Sequence, residues 1–213
     1  MSRKMICASI ILFNILLTQA AYAVDYAANI GFSSEYIYRG IPQKSSSASG
    51  GLDLQAGGFY AGTWGADVGD GIEIDYYGGY GFDAGNISFS IGGTLYTYTG
   101  EFDDTYLELN LGAGWKFLSF DAAIGEYDNF AGPTLNYQFY SLTATQNNFY
   151  AKIGMFADDF DGTYFEAGYG NTLRAGDTDL FDYAIVLIYS DSSLLGGESD
   201  TNLVFTVTRA FSF

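Results

Sequence analysis

Apolar and polar residues alternate with period two along almost the whole chain after residue 24. That period marks β-strands with one face in an apolar medium. In 72–82, Ile72, Ile74, Tyr76, Tyr80 and Phe82 share one face, and Glu73, Asp75, Tyr77, Gly79 and Gly81 share the other. In 104–115, Leu107, Leu109, Leu111, Ala113 and Trp115 oppose Glu108, Asn110, Gly112 and Gly114. In 86–98, Ile87, Phe89, Ile91 and Leu95 oppose Ser88, Ser90, Gly92 and Thr94. The last segment sets Leu203, Phe205, Val207, Phe211 and Phe213 against Asn202, Thr206, Thr208 and Ser212. No stretch beyond residue 24 carries a helical period.

The pattern predicts strands at 28–39, 49–56, 59–68, 72–82, 86–98, 104–115, 117–127, 133–145, 148–157, 162–172, 178–190 and 201–213. The faces are blurred in 59–68 and 133–145, so a ten-stranded count is the alternative. Most segments are long enough for a tilted crossing of a hydrocarbon core, which takes about 9–11 residues. Soluble strands average about five or six.

Alternation alone does not separate a membrane barrel from a soluble β-sandwich, but the connections do. Every second one is tight: Gly57-Gly58, Asp83 to Gly85, the point around Lys116, Gln146-Asn147 and Leu173 to Asp177. The others are longer on average: 40–48, 69–71, 99–103, 128–132, 158–161 and 191–200. Short turns on one side and longer loops on the other are the outer-membrane arrangement, with the short turns periplasmic. The fold expected is an all-β, antiparallel transmembrane β-barrel of about twelve strands, both termini periplasmic. Strand-end aromatics (Tyr36, Tyr38, Tyr80, Phe82, Tyr96, Tyr98, Trp115, Phe117, Tyr189, Phe211 and Phe213) would form interfacial girdles.

The first residues read as an export signal. Arg3 and Lys4 precede an apolar run from Met5 to Leu17, and Ala21-Tyr22-Ala23 fits a signal-peptidase site. Residues 1–23 are therefore expected to be removed, leaving one domain over 24–213. The single cysteine, Cys7, lies within the signal, so no disulfide framework is expected. Cleavage also takes two of the 8 basic residues and none of the 25 acidic ones, leaving a chain more acidic than the formal −17 of the precursor. Such a polyanion does not suit nucleic acid. Acids crowd the longer loops (Asp70, Glu101, Asp103, Asp128, Asp158, Asp159, Asp161, Asp191, Glu198 and Asp200), with Lys44 the sole base there.

Several motifs together resemble a known family. Ser33-Ser34-Glu35-Tyr36-Ile37-Tyr38-Arg39-Gly40-Ile41 resembles the opening motif of the TorF-like porin family of proteobacteria, a family of unknown function. Gly58-Phe59-Tyr60-Ala61-Gly62-Thr63-Trp64-Gly65 and Glu73-Ile74-Asp75-Tyr76-Tyr77-Gly78-Gly79-Tyr80 are similar to its next two motifs. Val204 to Phe211 resembles its final strand, although this chain runs two residues further. The resemblance implies an outer-membrane barrel and supplies no functional residues.

The composition excludes much chemistry. Histidine is absent, which removes Ser-His-Asp and Asp-His sites and imidazole metal sites. Thiol chemistry goes with the signal. Glu73 and Asp75 face one side of a strand and are the residue types of a glycosidase pair, but a polar lumen lining is the simpler reading. Asp158-Asp159-Phe160-Asp161-Gly162 lacks the spacing and terminal Glu of an EF-hand, so a solvated loop is expected. No catalytic residue, metal site or cofactor is expected.

With apolar faces toward lipid, the pore-lining candidates are Glu35, Arg39, Asp53, Glu73, Asp75, Glu108, Asp121, Lys152, Glu166 and Asp182. Acids dominate, and acidic linings favour cations. Arg39 is expected to pair with Glu35 or Asp75. The inward glycines (Gly79, Gly81, Gly112, Gly114, Gly168 and Gly170) leave either an open path or seats for Tyr77 and Tyr164. Arg209 falls on the lipid-facing phase near the terminus and is expected to snorkel. The function expected is a porin-like, cation-preferring channel for ions or small solutes. The alternatives are a closed structural or surface-binding barrel acting through its acidic loops, and a soluble periplasmic binding protein. Expected partners are outer-membrane lipid and lipopolysaccharide, with barrel-assembly machinery during biogenesis.

Overall fold

The computed structural model describes residues 24–213; the expected signal sequence lies outside the described residues. Twelve strands form one closed barrel in which every strand pairs antiparallel with its chain neighbours and β1 closes against β12. They are β1 Val24–Tyr38, β2 Ile41–Ala56, β3 Phe59–Asp67, β4 Ile72–Ala84, β5 Ile87–Tyr98, β6 Tyr106–Trp115, β7 Leu118–Tyr127, β8 Leu135–Gln146, β9 Phe149–Asp158, β10 Gly162–Ala175, β11 Thr178–Ser190 and β12 Asp200–Ser212. One short helix, α1 Ser192–Leu195, precedes β12. Closure of β1 against β12 removes the open edges that a flat sheet would leave.

The distribution of side chains is inverted relative to a soluble protein. Large apolar residues cover the outside: Leu203 is 67% exposed, Leu52 61%, Ile30 59% and Leu107 56%. Charged side chains lie inside, where Glu73 and Glu108 are each 2% exposed. An apolar exterior of this extent suits hydrocarbon, where a closed barrel satisfies all backbone hydrogen bonds internally.

Tight connections gather at one end of the barrel, here the turn end, together with the termini. The connections at the other, the loop end, are longer except for the one between β1 and β2. Outward aromatics concentrate at the turn end: Phe59 meets Tyr80 edge-on and Tyr80, Phe82 and Phe89 stack in a row, while Phe149, Tyr169 and Tyr183 make a second cluster of tilted rings. Arg209 lies there too, over the Phe211 ring and donating to the carbonyl oxygens of Asp179 and Leu180.

Two expectations are corrected. Residues 41–48 are not loop: β2 begins at Ile41, and the connection to β1 is the two-residue turn Arg39-Gly40. Both turn residues have positive φ, 48° and 82°, as a tight hairpin requires. The Ser-rich run has no apolar alternation because its ladder partner is β1 alone over this length. The second correction concerns Tyr36, Tyr38, Tyr96 and Tyr98, which do not join a girdle. Tyr36 bonds Glu73, Tyr38 bonds Tyr96, and Tyr96 is buried. Tyr98 follows Tyr96 on the inner phase of β5, in line with Ser88, Ser90 and Thr94.

Candidate functional site

The lumen divides into two halves of different character. Toward the turn end its inward side chains are largely polar and only partly buried. Asp121 shares the inner face of β7 with the buried Ala123 yet is itself exposed. Asn29, Gln55, Asp53, Ser88, Ser90 and Asp182 are half-buried at the same end. The Tyr77 hydroxyl donates to Asp53, and the Thr172 hydroxyl donates to Asp182 at 2.5 Å.

Of the inward glycines, Gly79 and Gly168 are ring seats, whereas Gly112 and Gly114 face the hydroxyl oxygens of Ser90 and Ser88, and Tyr77 and Tyr164 sit over Gly62 and Gly154 instead. Tyr60 lies opposite Gly79, Tyr77 opposite Gly62, Tyr137 opposite Gly125, Tyr150 opposite Gly168 and Tyr164 opposite Gly154. In each pair the ring lies so close over the glycine that a Cβ would collide with it. An aromatic laid across a facing glycine shields the backbone that the glycine leaves bare. These rings take up lumen volume that a strand count alone would leave empty.

Toward the loop end the lumen is filled, and the filling comes from the β1–β2 hairpin. β1 pairs with β12 only as far as Ser33, and β2 pairs with β3 only from Ser49 onward. Beyond those points the hairpin has no wall ladder on either edge. The register shifts between Tyr36 and Ile37, and Ser46 has φ of 59°. A bulge and a left-handed residue both bend a strand pair, and the tip turns into the barrel.

There the Arg39 guanidinium reaches β6. Nη1 and Nη2 donate to the two Glu108 oxygens at 2.5 and 2.9 Å. Glu108 also accepts from Tyr137 at 2.7 Å, Asn110 at 2.8 Å and Tyr96 at 3.1 Å. The guanidinium stands 4.1 Å above the Phe139 ring and 4.9 Å from that of Tyr38. A buried charge pair is tolerable only when its remaining donors and acceptors are met, and here the carboxylate receives five hydrogen bonds. Arg39 is thus a lumen residue, but it arrives from the turn and pairs with Glu108, not with Glu35 or Asp75.

The tip rests on an apolar floor. Ala184, Val186 and Ile188 of β11 and Val204 of β12 point inward, and Ile37 joins them with Phe139, Phe156 and Tyr164. Gly40 fits between Tyr164 and Leu194 of α1 without space for a Cβ, and its carbonyl accepts from Ser190 at 2.6 Å. Phe160 stacks on Tyr137 at 4.8 Å from the rim. That places the aromatic of the acidic 158–161 loop inside, while Asp159 and Asp161 accept from backbone N–H groups of Asn136 and Gly162.

Lys152 and Glu166 are register partners on β9 and β10, both buried, and Tyr150 donates to Glu166 at 3.1 Å. Glu73 accepts from Tyr36 at 2.6 Å. Asp75 is 9% exposed, and its Oδ1 has no hydrogen-bond partner among the described residues. Glu35 stands apart, on the free hairpin arm, accepting from exposed Ser45 at 2.8 Å. Ile37, Phe139 and Tyr137 belong to the site without having been expected there, whereas Tyr164 was expected as a ring packed in the lumen. No group of three or more potential metal ligands occurs among the described residues.

A family model described as "Bacterial protein of unknown function (Gcw_chp)" matches residues 18–153. The chain belongs to this family. Comparison with curated proteins gives no significant match. Among solved structures, the barrel is similar to one described under "Unveiling the Mechanism Behind the in-meso Crystallization of Membrane Proteins", with TM-score 0.59 and 9% identity over 89% of this chain and 84% of that chain. It also matches, with TM-score 0.46 and 11% identity, the outer membrane protein OprD of Pseudomonas aeruginosa, over 89% of this chain and 65% of that one. Pseudomonas aeruginosa OccK1 (OpdK) gives TM-score 0.42 and 12% identity over 82% and 59%. The chain therefore spans less than two thirds of the length of the latter two. At 9% identity the first of these similarities concerns the barrel fold alone.

Proposed function

We propose that the mature chain is an outer-membrane channel that passes ions or small solutes passively and prefers cations. On this reading residues 1–23 are a cleaved signal, the termini and turn end face the periplasm, and the loop end faces outward. The TorF-like porin resemblance belongs to the same reading, as do lipid and lipopolysaccharide contacts and delivery by barrel-assembly machinery. No catalytic step and no cofactor enter it.

The observation that carries the proposal is the ionisable lining of a closed barrel whose exterior is apolar. Glu73, Asp75, Glu108, Asp121 and Glu166 face inward against Lys152 on the wall. Burying charge is expensive without a purpose, and a wall rich in carboxylates lowers the barrier for cations and raises it for anions. The half-exposed polar walls of the turn end form a vestibule that water and ions can enter. Refolded mature protein in a planar bilayer tests the reading: discrete current steps are expected.

A second reading has its own observation. The loop end of the lumen is filled by Arg39, Ile37 and their contacts, as in a barrel that serves as a wall or a surface anchor. A current record without steps at any voltage, from barrels shown to be inserted, would favour that alternative.

A further inference from the structure

Three features of the hairpin tip do not suit a permanent part of the wall. First, it lacks ladder partners: residues 34–38 and 41–48 pair only with each other, because the β1–β12 register ends at Ser33 and the β2–β3 register begins at Ser49. What holds the tip in place is a short set of side-chain contacts. These are Arg39 to Glu108, Tyr38 to Tyr96, Tyr36 to Glu73, Lys44 to Asp67, the Ser47 hydroxyl to the Asp67 carbonyl, Ser190 to the Gly40 carbonyl, and the Phe205 N–H to Ser34. Moving the tip breaks no β-ladder.

Second, the bend lies at its base. Ser46 is left-handed and sits in the run Ser45-Ser46-Ser47, opposite Ser33 to Glu35. Small polar residues at the root of both arms give a place where backbone angles can change without disturbing a packed core.

Third, the lumen carries a prepared seat. The inner faces of β11 and β12 are apolar at Ala184, Val186, Ile188 and Val204, and Phe139 and Phe156 extend this patch, whereas Glu73, Asp75, Glu108, Lys152 and Glu166 are buried elsewhere on the lining. An apolar patch inside a permanently water-filled pore has no reason to exist. Under Ile37 it is a docking surface, and Glu108 with its tyrosine and asparagine donors is the matching polar half.

We propose that the β1–β2 hairpin tip, Ile37 to Ile41, is a gate that closes the channel at its loop end and opens by swinging outward on Ser33-Ser34 and Ser46-Ser47. The Arg39–Glu108 pair is its latch. The gate rests on the channel reading and adds its regulation. Opening uncovers Glu108 at the outer mouth, so the open pathway gains a carboxylate while the guanidinium leaves, and the open state is more cation-preferring than the closed-state charge balance implies.

The test combines a position readout with a current readout. The only cysteine, Cys7, lies in the signal, so Ile37→Cys introduces a unique thiol in the refolded mature barrel. A bulky water-soluble maleimide is expected to label it slowly in the parent. Labelling should run faster by about tenfold or more when Arg39→Ala or Glu108→Gln removes one side of the latch, because the partner charge is then left uncompensated in the seat. Glu108→Gln keeps the side-chain shape, and heat-dependent migration on a detergent gel verifies that each barrel is folded. In bilayers the same two latch variants should raise open probability. Unchanged labelling in both would overturn the gate. Current steps whose open probability is unaffected by either variant would also overturn it and leave the channel intact. Faster labelling without any current would overturn the channel reading instead.

Discussion

Arg39 and Glu108 meet inside the barrel through two hydrogen bonds of 2.5 and 2.9 Å, although 69 residues separate them in sequence. One comes from a tight turn between two strands and the other from the loop-end part of β6, across the lumen. Their contact turns a simple tube into one with a closed end. It also explains why a cation sits in a lumen otherwise dominated by acids.

The pair should be energetically coupled. In a double-mutant cycle of Arg39→Ala and Glu108→Ala, chemical unfolding from lipid vesicles is expected to give a coupling free energy of about 1–3 kcal/mol. A coupling near zero would mean that the two charges are held independently.

The seat beneath Tyr164 should not tolerate a side chain. Tyr164 is fully buried and its ring covers Gly154, leaving no room for a Cβ. Gly154→Val is expected to destabilise the barrel by about 1–3 kcal/mol through overpacking. Gly197→Val, in a loop position with open space around it, should leave the unfolding midpoint unchanged. Equal effects of the two would show that Tyr164 can leave its place at little cost.

Lipid exposure of the wall predicts a depth profile. Leu111 is outward and near the middle of β6, whereas Phe117 is outward in the turn after it. Leu111→Arg should cost about 2–4 kcal/mol and Phe117→Arg about 0–1 kcal/mol, as charges do at midplane and interface. Unfolding midpoints in vesicles measure both. The reverse order would place the apolar band elsewhere.

Most of the barrel was legible because a period of two is written directly into residues such as Leu107-Glu108-Leu109-Asn110-Leu111. Strand-end positions and the alternation of short and long connections followed from the same pattern. The hairpin tip was not legible in this way. Its arms carry Pro42, Gln43, Lys44 and three serines, which have no alternation, and their pairing is supplied by the backbone of β1. Local sequence also does not say that a turn folds back into a tube, since that depends on what lies across the lumen.

One sequence signal does mark the seat. Residues 184–188, Ala-Ile-Val-Leu-Ile, are apolar on both phases, which marks a strand buried on both faces. In a barrel with lipid outside, the second apolar face needs an occupant within. Ile37 and Phe139 are that occupant. Tyr96 and Tyr98 stay out of the girdle for a related reason: they lie near a strand end but on the inner phase that Ser88, Ser90 and Thr94 fix.

The central claim is a lumen whose carboxylates select cations, and the reversal potential across a KCl gradient tests it most directly. Refolded mature barrels, and barrels carrying Glu73→Gln with Asp75→Asn, are recorded under the same gradient. The parent should reverse on the potassium side, and the double variant should reverse closer to zero because two inward carboxylates are gone. A parent reversal at zero or on the chloride side would contradict the account.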